Sequence, residues 1–132
     1  MSKETGTTKT TVLLVEMDPM CRRVVEHILT PSCQIVTSCD YDEIVSFLSH
    51  YIFDTLFVDN DFPAPGVIQL FETASRVSPT TKRILMTGEH VDNLHHYLSI
   101  GLVNSYVTRT TPSRIIEAEV TNAVSPEPSQ HT

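Results

Sequence analysis

The chain has 132 residues, 40% of them hydrophobic, with a formal net charge of −7, which suits one domain with its own core. That charge argues against a domain that grips a phosphate backbone, because nonspecific nucleic-acid affinity comes from Lys and Arg neutralising phosphates. No apolar run approaches the roughly 18 residues of a membrane span, and Met1-Ser2-Lys3-Glu4-Thr5-Gly6 lacks a signal-peptide core, so a cytoplasmic address is expected.

Residues 1–10 are rich in Thr and Lys without periodicity and read as a disordered tail. Thr11-Val12-Leu13-Leu14-Val15 is an unalternating apolar run, the pattern of a strand buried on both faces of a parallel sheet, and Glu16 closes it. Asp18-Pro19 then supplies an N-cap and a first-turn proline for an amphipathic helix, with Met20, Cys21, Val24, Val25, Ile28 and Leu29 on its apolar face. Cys33 to Thr37 is a second strand. Asp40-x-x-Glu43 reads as a capping box that opens a helix facing inward through Ile44, Val45, Leu48 and Ile52.

Leu56-Phe57-Val58 is the third strand run, and Asp59 follows at once, ahead of the turn formers Asn60, Asp61 and Pro63. Val67, Leu70, Phe71, Ala74 and Val77 make the next helical stripe. Lys82 to Thr87 is a fourth strand ending in a hydroxyl. Residues 91–100 form a weaker helix with Val91, Leu94 and Leu98 inward and Asp92, Asn93, His95 and His96 outward, ending at Gly101. Ser105-Tyr106-Val107-Thr108 is a fifth strand ending at Arg109, and Thr111-Pro112 caps a helix carrying Ile115, Ile116, Val120, Ala123 and Val124. Residues 125–132, with two prolines, read as a flexible tail or the start of a linker.

Strand–helix alternation repeated five times predicts an α/β domain over residues 11–124, because parallel neighbours need right-handed crossovers. The common solution is the flavodoxin-like doubly wound parallel sheet of order 2-1-3-4-5, which places strands 1 and 3 side by side at the switch point, where ligands bind. Glu16 and Asp59 then share one crevice, with Thr87 and Arg109 at the same edge. Asp59 as a simple turn aspartate is the competing reading. Cys21, Cys33 and Cys39 are odd in number and form no CxxC pair, so buried structural thiols are expected rather than a disulfide framework or zinc site. Gly6, Gly66, Gly88 and Gly101 are too dispersed for a phosphate-binding glycine loop. His90, His95 and His96 are read as a solvated face, since adjacent helical side chains diverge by about 100 degrees.

With these pieces in order, the chain resembles the receiver domain of two-component response regulators: Val15-Glu16-Met17-Asp18-Pro19 after strand 1, Asp59 after strand 3 with Pro63 four residues on, Thr87 after strand 4, and Tyr106-Val107-Thr108-Arg109 on strand 5. The resemblance implies that Asp59 is a nucleophile taking a phosphoryl group from a histidine kinase, a phosphotransfer protein or a small donor. It implies Mg²⁺ held by Glu16 through water, by Asp59 and by the carbonyl of Asp61. Thr87 and Arg109 would bind the phosphoryl oxygens, and Tyr106 would report the change by rotating inward. It also implies an output domain or partner protein, and a homodimer through the helix 4–strand 5–helix 5 face.

Three positions depart from the family pattern. Met17 stands where a second acidic residue supplies a direct metal ligand, so metal affinity should suffer. Arg109 replaces Lys, which changes a compact charge into a planar fork. Thr110 replaces Pro, and the loop before strand 5 is one residue longer. A degenerate receiver that serves as a docking scaffold without phosphorylation therefore stays open. An alternative from another class is a haloacid-dehalogenase-like phosphatase, since Phe57-Val58-Asp59-Asn60-Asp61 also fits an apolar-DxD signature with Asp61 as general acid.

Overall fold

The structure, a computed structural model, describes residues 9–63, 65–88 and 91–122. Ten elements alternate strictly: β1 (Thr10–Val15), α1 (Pro19–Leu29), β2 (Cys33–Thr37), α2 (Tyr41–His50), β3 (Thr55–Asp59), α3 (Val67–Val77), β4 (Lys82–Thr87), α4 (Leu94–Ser99), β5 (Ser105–Thr108) and α5 (Ser113–Thr121). The five strands form one sheet, all neighbours parallel, in the order β2-β1-β3-β4-β5. This is the predicted flavodoxin-like order. Most of the tails expected at 1–10 and 125–132, together with His90, Ala123 and Val124, lie outside the described residues; β1 begins one residue earlier than predicted.

The missing alternation in the strand sequences has its cause in two cores. Successive side chains of a strand point to opposite faces. Leu13, Val15, Leu56, Val58 and Leu85 join α2 and α3 on one face. Val12, Leu14, Phe57, Ile84 and Met86 join α1 and α5 on the other. Both faces are apolar, so the central strands carry no polar residue over positions 12–15, 56–58 and 84–86.

The helices differ from expectation at several apolar residues that the periodicity turns inward and the structure leaves exposed. On α1 only Val25 and Leu29 are buried, while Met20 is 72% and Val24 56% exposed. The helix meets the sheet along a narrower stripe than its sequence offers. Ile52 is 85% exposed because α2 ends at His50 and the chain turns before reaching it. Val77 and Ile115 are also exposed. Helix α4 is shorter than residues 91–100, since Asn93 sits in the left-handed region at φ 64° and delays the start to Leu94.

Capping follows the sequence only in part. Asp18 accepts from the Met20 N–H at 3.0 Å and opens α1, and Asp40 accepts from the Glu43 N–H at 2.9 Å and opens α2. The capping box is incomplete, because the Glu43 carboxylate takes the Ser38 hydroxyl at 2.5 Å and the Asp40 N–H goes to the Ser38 hydroxyl at 3.3 Å. Replacing Asp40 by Ala is expected to lower stability by about 1 kcal/mol in denaturant unfolding, the usual cost of losing an N-cap acceptor; an unchanged midpoint would show that Ser38 already suffices. Thr111 does not cap α5. Pro112 occupies the N-cap position, and the Thr111 hydroxyl instead accepts from the Thr108 N–H at 2.9 Å, closing the turn that carries Arg109.

Two cations absent from the sequence expectations are buried at the start of β4. Arg83 donates to the carbonyls of Leu102 at 2.8 Å and Gly101 at 2.9 Å, and its backbone N–H donates to the Asn104 side chain at 2.6 Å. The longer loop before β5 is thus pinned to β4. Lys82 donates to the Glu119 carbonyl at 2.6 Å and fastens α5.

Candidate functional site

The C-terminal tips of the central strands build a single acidic crevice. Parallel pairing sets Val15 opposite Val58, so Glu16 and Asp59 emerge as neighbours. Asp59 pairs with Met86, which puts Thr87 one residue beyond it on β4, and Thr87 pairs with Thr108, which places Arg109 at the adjoining tip. Glu16, Asp59 and Thr87 are all buried. Burying a carboxylate is costly unless it is paired, so three polar residues at one sheet edge need a shared counter-charge.

Arg109 supplies it. Its Nη2 donates to Asp59 Oδ1 at 3.0 Å and Oδ2 at 2.9 Å, and reaches Asp61 Oδ2 at 3.4 Å, while its Nη1 donates to Cys21 Sγ at 3.0 Å. Asp59 also accepts weakly from the Asp61 N–H at 3.4 Å. That contact is the one the turn-aspartate reading requires. The guanidinium contacts are shorter, so the side chain is directed at the crevice and not only at its own turn. Gly88 makes room for this arrangement: a Cβ there would lie 2.8 Å from Arg109 Nε and 3.1 Å from its Cδ. The sequence shows Gly88 but not the arginine that crosses over it.

Glu16 is the most perturbed group. It is 1% exposed; its Oε2 accepts from the Asp18 N–H at 3.1 Å, and its Oε1 has no hydrogen-bond partner among the described residues. Two ionised carboxylates side by side repel, so a proton kept on Glu16 relieves the pair. Burial first, then the side-chain interaction with Asp59 and the Asp59 charge, push its pKa up to about 7 against the pull of the Asp18 N–H and Arg109.

The thiols are free, and only Cys33 is buried as expected. Cys21 and Cys39 are half-buried at the rim because they bond to it: Cys39 Sγ donates to the Glu16 carbonyl at 3.3 Å, and Cys21 Sγ donates to Asp18 Oδ2 at 3.3 Å. Burial raises the Cys21 thiol pKa despite Arg109 beside it. Tyr106 stands on the edge strand β5 and is 46% exposed. His95 and His96 are exposed on α4.

Mg²⁺ demands near-octahedral oxygen coordination, with one or two carboxylates as its protein ligands. Among the described residues no group of three or more His, Cys, Asp or Glu side chains is placed to hold a metal ion. Nη2 of Arg109 contacts both Asp59 oxygens, and Met17 is exposed and offers no hard oxygen. Arg109 therefore competes with a cation for Asp59, and the set of Glu16, Asp59 and the Asp61 carbonyl that the resemblance implies lacks a second acidic ligand at Met17.

No protein-family profile matches the sequence, and no curated protein matches it. Solved structures do. A response regulator receiver domain protein from Methanospirillum hungatei superposes with a TM-score of 0.78 at 16% identity, covering 95% of this chain and 100% of that one. A response regulator from Burkholderia pseudomallei, solved with a phosphorylated aspartic acid and a calcium ion, gives 0.75 at 13% identity over 93% and 71%. A structure described as an adenylate cyclase from Rhodopirellula baltica gives 0.75 at 18% over 86% and 85%. The chain therefore has the receiver fold of response regulators. No helix among the described residues is long and apolar enough to cross a membrane.

Proposed function

We propose that this chain is a signalling receiver of the two-component type, accepting a phosphoryl group on Asp59 to control an output domain or partner protein. The observation that carries the reading is Asp59 itself: a buried carboxylate at the tip of a central strand, with one Arg109 nitrogen against both its oxygens and with Glu16 and Thr87 beside it. Phosphoryl transfer needs positioning and neutralisation of charge more than covalent chemistry from the protein. An Asp59 oxygen attacks phosphorus, the bond to the donor's leaving group breaks, and that group departs with the electron pair. Thr87 and Arg109 receive the new oxygens, the first as a hydroxyl and the second as a fork suited to phosphate. The Mg²⁺ expected from the resemblance is left out of this step, because Arg109 already supplies a positive charge against both Asp59 oxygens.

A histidine kinase or phosphotransfer protein is the partner class that supplies such a group. The exposed Tyr106 and the α4–β5–α5 face are the surface on which the change would be felt, including by a second copy. The second reading, a docking scaffold that ignores phosphorylation, is favoured by the Arg109 contact to both Asp59 oxygens, which must loosen before Asp59 can attack a donor. The phosphatase reading is weakened at Asp61, whose exposed carboxylate is engaged by Arg109 and is not poised as a general acid. Incubation with acetyl phosphate followed by intact-mass measurement separates the three. One added phosphoryl group supports the receiver, an unmodified chain supports the scaffold, and continuous turnover of a phosphomonoester supports the phosphatase.

A further inference from the structure

We propose that Arg109 is the resident cation of this pocket, standing between Asp59 and Asp61 where a divalent ion would otherwise sit, so that the chain itself excludes Mg²⁺. The inference deepens the receiver reading and takes its functional meaning from it. Three carboxylates, Glu16, Asp59 and Asp61, gather at the crevice, and one Nη atom of Arg109 touches two of them at 2.9 to 3.4 Å. One Nη of the guanidinium meets both Asp59 oxygens while the other donates to Cys21 Sγ, so the planar group is tied down at both tips of its fork where a compact ammonium would be held at one point.

The chain around it is built for that reach. Gly88 has no side chain to obstruct the arginine stem. The turn before α5 is closed by hydroxyls: Thr108 Oγ1 lies 3.1 Å from Thr110 Oγ1 and 3.0 Å from Thr111 Oγ1. Met17, at the position where a second hard ligand would stand, is exposed and cannot compete. Glu16 Oε1 is the remaining sign of a cation site, a buried oxygen left without a partner because the guanidinium does not reach it. The pocket therefore keeps a vestige of metal coordination beside a substitute for the metal.

The test is a titration with MgCl₂ alone, followed by backbone amide shifts. In the wild-type domain the amides of Glu16, Asp59, Asp61 and Thr87 are expected to stay unmoved at millimolar Mg²⁺. In Arg109→Gln, which removes the charge but keeps much of the length, the same amides shift, with an affinity at least about tenfold tighter than any wild-type response, and Mg²⁺ raises the melting midpoint by mass action. Should Arg109→Gln fail to fold, Arg109→Met, which also removes the charge and keeps much of the stem, takes its place with the same readout. Wild-type shifts as large as the variant's, or none in the variant, overturn the proposal. No phosphoryl donor is present, so a failure of Asp59 to accept a phosphoryl group leaves this result standing on its own.

Discussion

Asp59→Asn is expected to take up no phosphoryl group from acetyl phosphate under conditions in which the wild type carries one. The substitution keeps the shape of the side chain and one oxygen for Arg109 to hold, but it removes the anionic oxygen that would attack phosphorus. Its effect on folding is expected to be small for a physical reason. Losing the charged contact to Arg109 costs stability, while losing the Asp59 charge relieves Glu16, whose proton affinity is raised partly by that charge. Intact mass with circular dichroism checks both halves. A folded Asn variant that still gains a phosphoryl group would place the acceptor elsewhere and remove the reason for reading the crevice as the site.

Glu16→Gln is expected to stabilise the protein at pH 8 by up to about 3 kcal/mol and to leave it almost unchanged below pH 4.5. The folded-state pKa of about 7 lies above the ordinary 4.5, so between those values the folded chain holds a proton that the unfolded chain has lost. Stability then falls as pH rises, by about 1.4 kcal/mol per unit across that window, and is fully present only below the lower value. The amide of Gln is neutral at every pH. Its oxygen can accept from the Asp18 N–H, and its NH₂ can donate to Asp59, giving the unpartnered Oε1 position a hydrogen bond. Denaturant unfolding of both proteins from pH 4 to pH 8 measures the effect. A difference that stays constant over that range would mean that Glu16 titrates alike in the folded and unfolded chain, so that neither its burial nor Asp59 raises its proton affinity.

Much of the scaffold was legible because its cause is local. Apolar runs without alternation at Leu13, Phe57 and Ile84 announce strands buried on two faces, and the acidic or hydroxyl residue that ends each run marks the edge where the site forms. The parallel order follows once helices are interposed. Less was legible where a long side chain chooses between partners. Nothing in the sequence says that Arg109 reaches over Gly88 to Asp59, that Arg83 turns back to hold the loop before β5, or that the Glu43 carboxylate prefers Ser38 to its own helix end. The apolar stripe of α1 was overread for a related reason. Hydrophobic spacing at Met20 and Val24 satisfies a helical pattern, but the width of the contact depends on how the helix sits over the sheet, which is a tertiary property.

The Glu16 position shows both limits together. Its place at the end of β1 was readable, and so was its approach to Asp59. Its burial to 1% exposure was not, because burial depends on Cys39 and Asp18 closing over it from segments distant from β3. The pKa shift follows from that closure.

A crystal structure grown with beryllium fluoride would show whether Asp59 is the acceptor, since the fluoride complex imitates a tetrahedral phosphoryl group on a carboxylate. Beryllium is expected on an Asp59 oxygen, with fluorines within hydrogen-bonding reach of the Thr87 hydroxyl and the Arg109 guanidinium. A bare Asp59 still closed against Arg109 at saturating fluoride, or a complex seated on another carboxylate, would contradict that assignment.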